Sequence, residues 1–162
     1  MKLGFVVNPL AGIGGSVALK GSDGREVVEQ AFSRGAQPLS EERARIAMQQ
    51  ITAVAPLSIC TANGAMGEDV LHALNLPCEV VYEAHQCTSA KDTAGVIQRF
   101  VEEEVDLIVF AGGDGTARDV LDSLDEALNS SIPVIGIPAG VKIHSAVYAV
   151  TPSRAGELIN LI

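Results

Sequence analysis

The sequence predicts an α/β fold: an open, mostly parallel sheet of five strands, or slightly more, with helices on both faces. Three observations lead there. Five short apolar runs, rich in Val and Ile, lack the clean polar alternation of a half-exposed strand and read as strands buried on both faces. Segments with helical periodicity lie between most of them, the pattern of a doubly wound parallel sheet. There is no Trp and only 4% of residues are aromatic, so the core must be built from Val, Ile, Leu and Ala. The length of 162 residues fits one α/β domain with a sizeable core.

The predicted strands are Leu3–Val7, Leu57–Thr61, Cys78–Tyr82, Asp106–Phe110 and Pro133–Ile137, most of them followed by a turn signal. A helix is predicted over Arg25–Ser33, with Gly35 as its stop, and another over Glu68–Leu74, with Pro77 beyond it. Ser40–Ala55 carries the stripe Ala44, Ala47, Ile51 and Val54. Ser89–Val105 carries Ala90, Ala94, Ile97 and Val101, and Thr116–Leu128 carries Ala117, Val120, Leu121, Leu124 and Leu128. Thr151 is a good N-cap and Pro152 suits the first position of a last helix, whose stripe is Ala155, Leu158, Ile159 and Ile162. The sequence stops inside that stripe. Docking on the domain's own sheet is one reading. The favoured expectation is a lead into a second domain, with Leu158, Ile159 and Ile162 incompletely buried here and open to a partner surface or to homo-oligomer formation. The longest irregular stretch, Asn8–Gly24, holds five glycines, and a loop of that length is more often functional than filler.

Composition excludes several functions. The 48% apolar and 19% charged residues describe a globular chain. A net charge of −9 argues against a nucleic-acid or anionic-membrane surface, yet it leaves room for a local anion site built from backbone N–H groups. Cys60, Cys78 and Cys87 show no metal-ligand spacing and read as reduced packing residues, from which a cytoplasmic location is expected. The N-terminus does not read as a signal peptide, and no apolar run approaches the ~20 residues of a membrane span.

Three glycine-rich segments leave predicted strands. The strongest is Ala111-Gly112-Gly113-Asp114-Gly115-Thr116, where a buried strand turns into a helix. In open α/β sheets ligands bind at the carboxyl ends of strands, and glycines let amides approach phosphate oxygens at a helix N-terminus. A carboxylate among such groups needs a reason. Asp114 holds Mg²⁺ against a phosphate, takes a proton from an attacking hydroxyl, or merely caps the next helix. The second segment, Asn8-Pro9-Leu10-Ala11-Gly12-Ile13-Gly14-Gly15, completes neither the dinucleotide fingerprint, because Val17 stands where its third glycine belongs, nor the Walker signature. Lys20 in this loop is a phosphate ligand or a solvated lysine. The third segment, Ile137-Pro138-Ala139-Gly140-Val141-Lys142-Ile143-His144-Ser145, offers Gly140 for close backbone approach and Lys142 and His144 for phosphate or base. Ser89–Thr93, with Lys91, reads first as an ordinary helix cap. Asp119 and Asp122 read as a solvated face, although Asp119 lies near the glycine turn. No nucleophile elbow and no HExxH occurs.

Asn8-Pro9-x-x-Gly12 together with Gly112-Gly113-Asp114-Gly115-Thr116 resembles the superfamily of NAD kinases and diacylglycerol-type lipid kinases. Gly136-Ile137-Pro138-Ala139-Gly140-Val141-Lys142-Ile143-His144-Ser145-Ala146-Val147 looks like one branch of it, the ATP-NAD kinase-like proteins, some associated with acetoin catabolism. The resemblance covers nearly the whole chain. It implies a following all-β domain, with an active site in the cleft between the two. It implies phosphoryl transfer from ATP or polyphosphate to the 2′-hydroxyl of NAD with Mg²⁺ or another divalent metal, and Asp114 as the base. Phosphate or nucleotide contacts would come from Asn8, Gly12, Gly112, Gly113, Gly115, Thr116, Gly140, Lys142 and His144. Two departures stand out: Pro138–Ser145 replaces an Asn-Gly-Leu-Gly-Phe-like stretch, and the chain ends before any Asn-Glu pair. The alternatives are a kinase for a lipid or small-metabolite hydroxyl, and a non-catalytic nucleotide-binding regulator.

Overall fold

The apolar runs assemble into one sheet of five strands: β1 (Lys2–Val7), β2 (Ser58–Ala62), β3 (Glu79–Tyr82), β4 (Leu107–Gly112) and β5 (Val134–Pro138). Their order is β3-β2-β1-β4-β5, and every pairing is parallel. The computed structural model describes residues 1–13, 25–36, 38–52, 56–127, 131–140 and 143–162. Six α-helices are described among these, besides a 3-10 turn at Gly64–Met66: α1 (Arg25–Ser33), α2 (Ser40–Met48), α3 (Glu68–Ala73), α4 (Ala90–Glu102), α5 (Asp114–Glu126) and α6 (Pro152–Ile159).

Alternation along β1 and β4 divides the core. Leu3, Phe5, Val7, Leu107, Val109 and Ala111 meet Ala44, Ala47 and Met48 of α2, Val70 and Leu71 of α3, and Ala155 and Ile159 of α6. Val6, Ile108 and Phe110 meet Val96, Ile97 and Phe100 of α4 and Val120 and Leu124 of α5 on the other face. Full burial of each Val, Leu, Ile, Phe or Met among them stabilises the fold by roughly 1.5–3 kcal/mol, and each alanine by less. The expected α/β architecture is therefore present, with helices on both faces of a parallel sheet.

Several details depart from the sequence pattern. β3 is an edge strand with Glu79 and Val80 exposed, so it is not buried on both faces. The α4 stripe is rotated from the expected one: Ala90 is exposed, and the buried face is Asp92, Thr93, Val96, Ile97 and Phe100. On α5, Leu121 is exposed, while Thr116 and Ser123 are buried beside Val120 and Leu124. α2 ends at Met48 instead of continuing to Ala55. The β-branched Ile51 and Thr52 weaken a helix there. Asn160 beyond α6 also takes up the freed backbone, accepting from Thr52 N–H at 3.1 Å and donating to the Gln50 carbonyl at 2.8 Å. Val54 and Leu128 lie outside the described residues.

The last helix starts as expected, with the Thr151 side chain accepting from Arg154 N–H and Pro152 in the first turn. It docks on α2 and β5 of its own domain. Gly156 makes this possible, because a Cβ there would collide with the Ala47 carbonyl oxygen. Ile159, expected to be incompletely buried, is only 2% exposed, whereas Leu158 and Ile162 do face solvent. The thiols differ too: Cys60 is buried and Cys87 is exposed, so Cys87 is no packing residue.

Asp92 is the one fully buried acid among the described residues. It closes a capping box with Ser89 at the start of α4 and accepts from the backbone N–H and the Nδ1 of His85, at 3.0 and 2.7 Å. Burial pushes its carboxyl up, but the His85 and Ser89 donors outweigh that and hold it at about 2. Because the folded value is depressed, this contribution is complete above the ordinary value of 3.8 and is lost as pH falls through about 2. Asp92→Asn is expected to cost about 2–4 kcal/mol at neutral pH, lowering Tm by roughly 5–15 °C. Thermal melts from pH 6 down to 2 test this: the gap between wild type and variant should close at the acid end. A gap that stays constant would show that the charge contributes nothing.

Candidate functional site

The strand order places a topological switch point between β1 and β4. The chain leaves β1 toward β2 and β3 on one side, then crosses over to β4 and β5 on the other. In such sheets the loops after the two central strands diverge and leave a crevice at their carboxyl ends. The segments that follow β1, β4 and β5 are the three glycine-rich segments, so parallel pairing alone brings them to one edge.

They touch. Asn8 continues the β1 ladder by donating its backbone N–H to the Ala111 carbonyl at 2.9 Å. Its Nδ2 donates to Thr116 Oγ1 at 2.9 Å, and its Oδ1 accepts from Leu10 N–H at 3.1 Å. Gly12 has φ +77°, and a Cβ on it would lie 2.4 Å from the Ala139 carbonyl oxygen. A Cβ on Gly140 would lie 3.3 Å from the Gly113 Cα. Gly112 lies under Thr116, whose side chain occupies the space of a Cβ there. Glycine at position 12 is thus a steric requirement of loop against loop, at 140 it keeps a close approach to Gly113, and at 112 it makes room for the Thr116 side chain of its own turn.

α5 begins at Asp114, two residues earlier than the sequence pattern places it, with Gly113 as N-cap and no side-chain cap. The cap reading of Asp114 is therefore excluded. Its carboxylate turns instead to the segment after β5: Oδ2 accepts from His144 N–H at 2.9 Å and Oδ1 from Ser145 N–H at 3.1 Å. Partial desolvation pushes its carboxyl up. The amides of His144 and Ser145, the Ser145 side chain and the His144 charge outweigh this and leave it below the ordinary carboxylate value. The first turn of α5 keeps amides that no helical carbonyl takes up, and the dipole there favours an anion. Nothing faces the open side of Gly115 within 4 Å of where its Cβ would be.

A cavity of about 520 Å³ opens beside Asp114, between α5 and the 144–147 segment. Phe110, Val120, Leu121, Leu124, Val134 and Val147 supply its apolar wall, and Asp114, Arg118, His144 and Ser145 its polar part. Its size suits a small ligand, for which such sites commonly span ~300–1,000 Å³.

Of the expected site residues, Asn8, Gly12, Gly112, Gly113, Asp114, Thr116 and Gly140 are packed into one cluster, Gly115 stands at its open side, and His144 is tied in through its backbone. Lys142 and Lys20 lie outside the described residues. Lys91 sits in the first turn of α4, which Ser89 caps in the ordinary way. Sequence reasoning missed Arg118, Ser145 and Tyr148. Tyr148 had a signal: it is one of two tyrosines and closely follows the third glycine segment. Among the described residues no group of three His, Cys, Asp or Glu gathers as a metal site.

A parallel α/β sheet whose glycine loops meet at a switch point defines a nucleotide-binding class of fold. Comparison with family models then places the chain: residues 3–162 match the ATP-NAD kinase N-terminal domain, and the chain belongs to that family. No curated protein and no solved structure matches it significantly.

Gly12→Ala tests the contact between loops. Positive φ costs an alanine about 1–2 kcal/mol before any clash, so a total loss of roughly 1–3 kcal/mol is expected, with displaced amide resonances at Ala139 and Gly140. Unmoved resonances there would mean that the two loops are apart in solution.

Proposed function

We propose that this domain binds the phosphates of ATP or polyphosphate for transfer of a phosphoryl group to the 2′-hydroxyl of NAD. The observation that carries the reading is the meeting of three glycine loops at the uncapped N-terminus of α5, with the ionised Asp114 at its first position. Backbone amides of the turn and the helix N-terminus would take the phosphate oxygens, and Asn8 and Thr116 would brace the turn from behind.

Asp114 has room for a metal or a hydroxyl. A carboxylate offers about four lone-pair sites; two are taken by the His144 and Ser145 amides and a further one faces the Ser145 side chain, which leaves one open. Mg²⁺ is usually held by one or two carboxylates plus substrate phosphates, so a single aspartate fits that role. Bound there, the metal would neutralise charge on the transferring phosphoryl group. A lowered carboxyl makes Asp114 a weak base, which suits a largely dissociative phosphoryl transfer where little proton removal precedes bond breaking. Its part is then to orient the attacking hydroxyl and accept its proton late. The acceptor's body would lie in the adjoining cavity. Contacts to the rest of NAD would come from a following all-β domain.

The apolar wall of that cavity favours a second reading, a kinase for a lipid or small metabolite whose hydroxyl sits on an apolar body. Incubating the protein from its whole reading frame with Mg²⁺, NAD and either ATP or polyphosphate decides between them. NADP is the expected product. Nucleotide hydrolysis stimulated only by lipid or small hydroxy compounds would favour the second reading, and nucleotide binding without turnover of any acceptor would sink both.

Asp114→Asn is expected to lower kcat by about 10²–10⁴-fold, the usual worth of a positioned base. The 143–145 segment should also loosen, because one amide oxygen replaces two carboxylate oxygens that face N–H donors. The depressed carboxyl fixes the sign of the pH effect. Asp114 stays ionised, and both the base and the loop contacts persist, until pH falls below the ordinary carboxylate range. The acid limb of the kcat–pH profile should therefore lie below 3.8, the ordinary value. An acid limb near neutrality would assign the titrating group elsewhere.

A further inference from the structure

We propose that Tyr148 is a positioning residue for the glycine turn after β4, and through that turn for phosphate binding at the N-terminus of α5; the inference rests on the phosphotransferase reading above. The Tyr148 hydroxyl donates to the Gly113 carbonyl at 2.5 Å. The same oxygen accepts Ala117 N–H at 3.0 Å, which is the first bond of α5. The peptide is planar, so fixing the direction of this carbonyl also fixes that of the Asp114 N–H on the far side of the same unit. That N–H is the first amide available to an anion at the helix start.

The ring is held as firmly as its hydroxyl. It meets Phe110 edge-on, with centroids 5.4 Å apart and planes at 66°. One face covers Gly136, where a Cβ would lie 2.5 Å from the ring. The neighbouring backbone is pinned by Gly136 N–H to the Val147 carbonyl and Ala149 N–H to the Gly136 carbonyl, both at 3.0 Å. The phenol is therefore delivered from a segment bridged to β5 at Gly136, and not from the strand that ends in the turn. Burial first, then the Asp114 charge, push the Tyr148 hydroxyl up, so it stays protonated and acts as a donor.

Packing alone does not account for this tyrosine. Phenylalanine would fill the same space against Phe110 and Gly136 without a part-buried hydroxyl to satisfy. The hydroxyl's use is at Gly113, a residue whose lack of Cβ leaves the turn free to move. The tyrosine gives a fixed direction to a carbonyl whose residue has no side chain to restrain it.

Tyr148→Phe removes only the hydroxyl. Turnover with ATP, binding of inorganic tripolyphosphate with Mg²⁺, and ¹⁵N relaxation of the turn amides are measured on wild type and variant. The expected result is a kcat about 10- to 100-fold lower, the scale of a small misplacement, with acceptor KM nearly unchanged. Tripolyphosphate affinity should fall, and order parameters at Gly113–Gly115 should drop below the rigid-backbone level of about 0.85. Tm should move by no more than about 5 °C. Wild-type turnover, affinity and order parameters in the variant would overturn the proposal. So would losses that track a collapse of Tm with order parameters lowered along the whole chain, because Tyr148 would then be a core residue only. If wild type makes no product with any acceptor, the phosphotransferase reading fails by itself. The positioning role is then decided by tripolyphosphate affinity and the turn order parameters.

Discussion

β1 sits at the centre of the sheet, paired to β2 on one side and β4 on the other, and the rest of the domain follows from that double pairing. It forces the chain to wind outward in two directions. That leaves the starts of the loops after β1 and β4 side by side at the carboxyl edge of the sheet. It also puts Leu3, Phe5 and Val7 into one half of the core and Val6 into the other. A change that expelled β1 would lose both half-cores together, and the site with them. The acidic cap at Asp92 acts farther out, fixing the start of α4 at the β3 edge while leaving the switch point untouched.

Within the site, order comes from contacts between loops and much less from any one loop. Asn8 reaches Thr116 across the β1–β4 boundary, Gly12 packs under Ala139, and Asp114 and Gly113 are tied to residues 144, 145 and 148 beyond β5. Glycine would make each turn loose if it stood alone. Packed together, the absence of side chains lets backbones approach until each restricts the next. The polar groups doing this work are short and partly buried, so their hydrogen bonds are stronger than surface contacts of the same length.

The fold was legible because its signal is local. Buried β4 reads as an unbroken apolar run, and parallel connectivity follows from alternating strands and helices. The convergence of the glycine segments at one edge was legible for the same reason: strand, glycine and helix start are adjacent in sequence. What failed depends on long-range context. The exposure of β3 follows from its place in the strand order, which no run of residues announces. The rotation of the α4 stripe follows from Phe100 and from Asp92, a buried acid satisfied by His85 seven positions earlier. The early end of α2 depends on Asn160, 110 residues from its partner Gln50. Tyr148 was passed over because its partner Gly113 lies 35 residues away on another strand's loop.

The net charge of −9 sets the last constraint. A phosphate-bearing ligand approaching such a chain gains nothing from long-range attraction, and at physiological salt charges beyond ~8 Å are largely screened in any case. Attraction must therefore come from groups close to the phosphate. Backbone amides serve well, because their dipoles are fixed by the fold and carry no side-chain entropy to lose. Asp114 at the first position of α5 runs against this arrangement, since it adds a full negative charge where an anion would bind under the proposed reading. Its two hydrogen bonds to the 144–145 amides offset part of that charge and turn the carboxylate toward the β5 side. They leave the α5 amides free of the side chain that usually caps such a helix. A carboxylate retained at that position and drawn aside in this way is useless for holding phosphate by itself. Its observed contacts are structural, tying the 144–145 segment to the start of α5; under the proposed phosphotransferase reading it would also serve a divalent metal or a hydroxyl that gives up a proton.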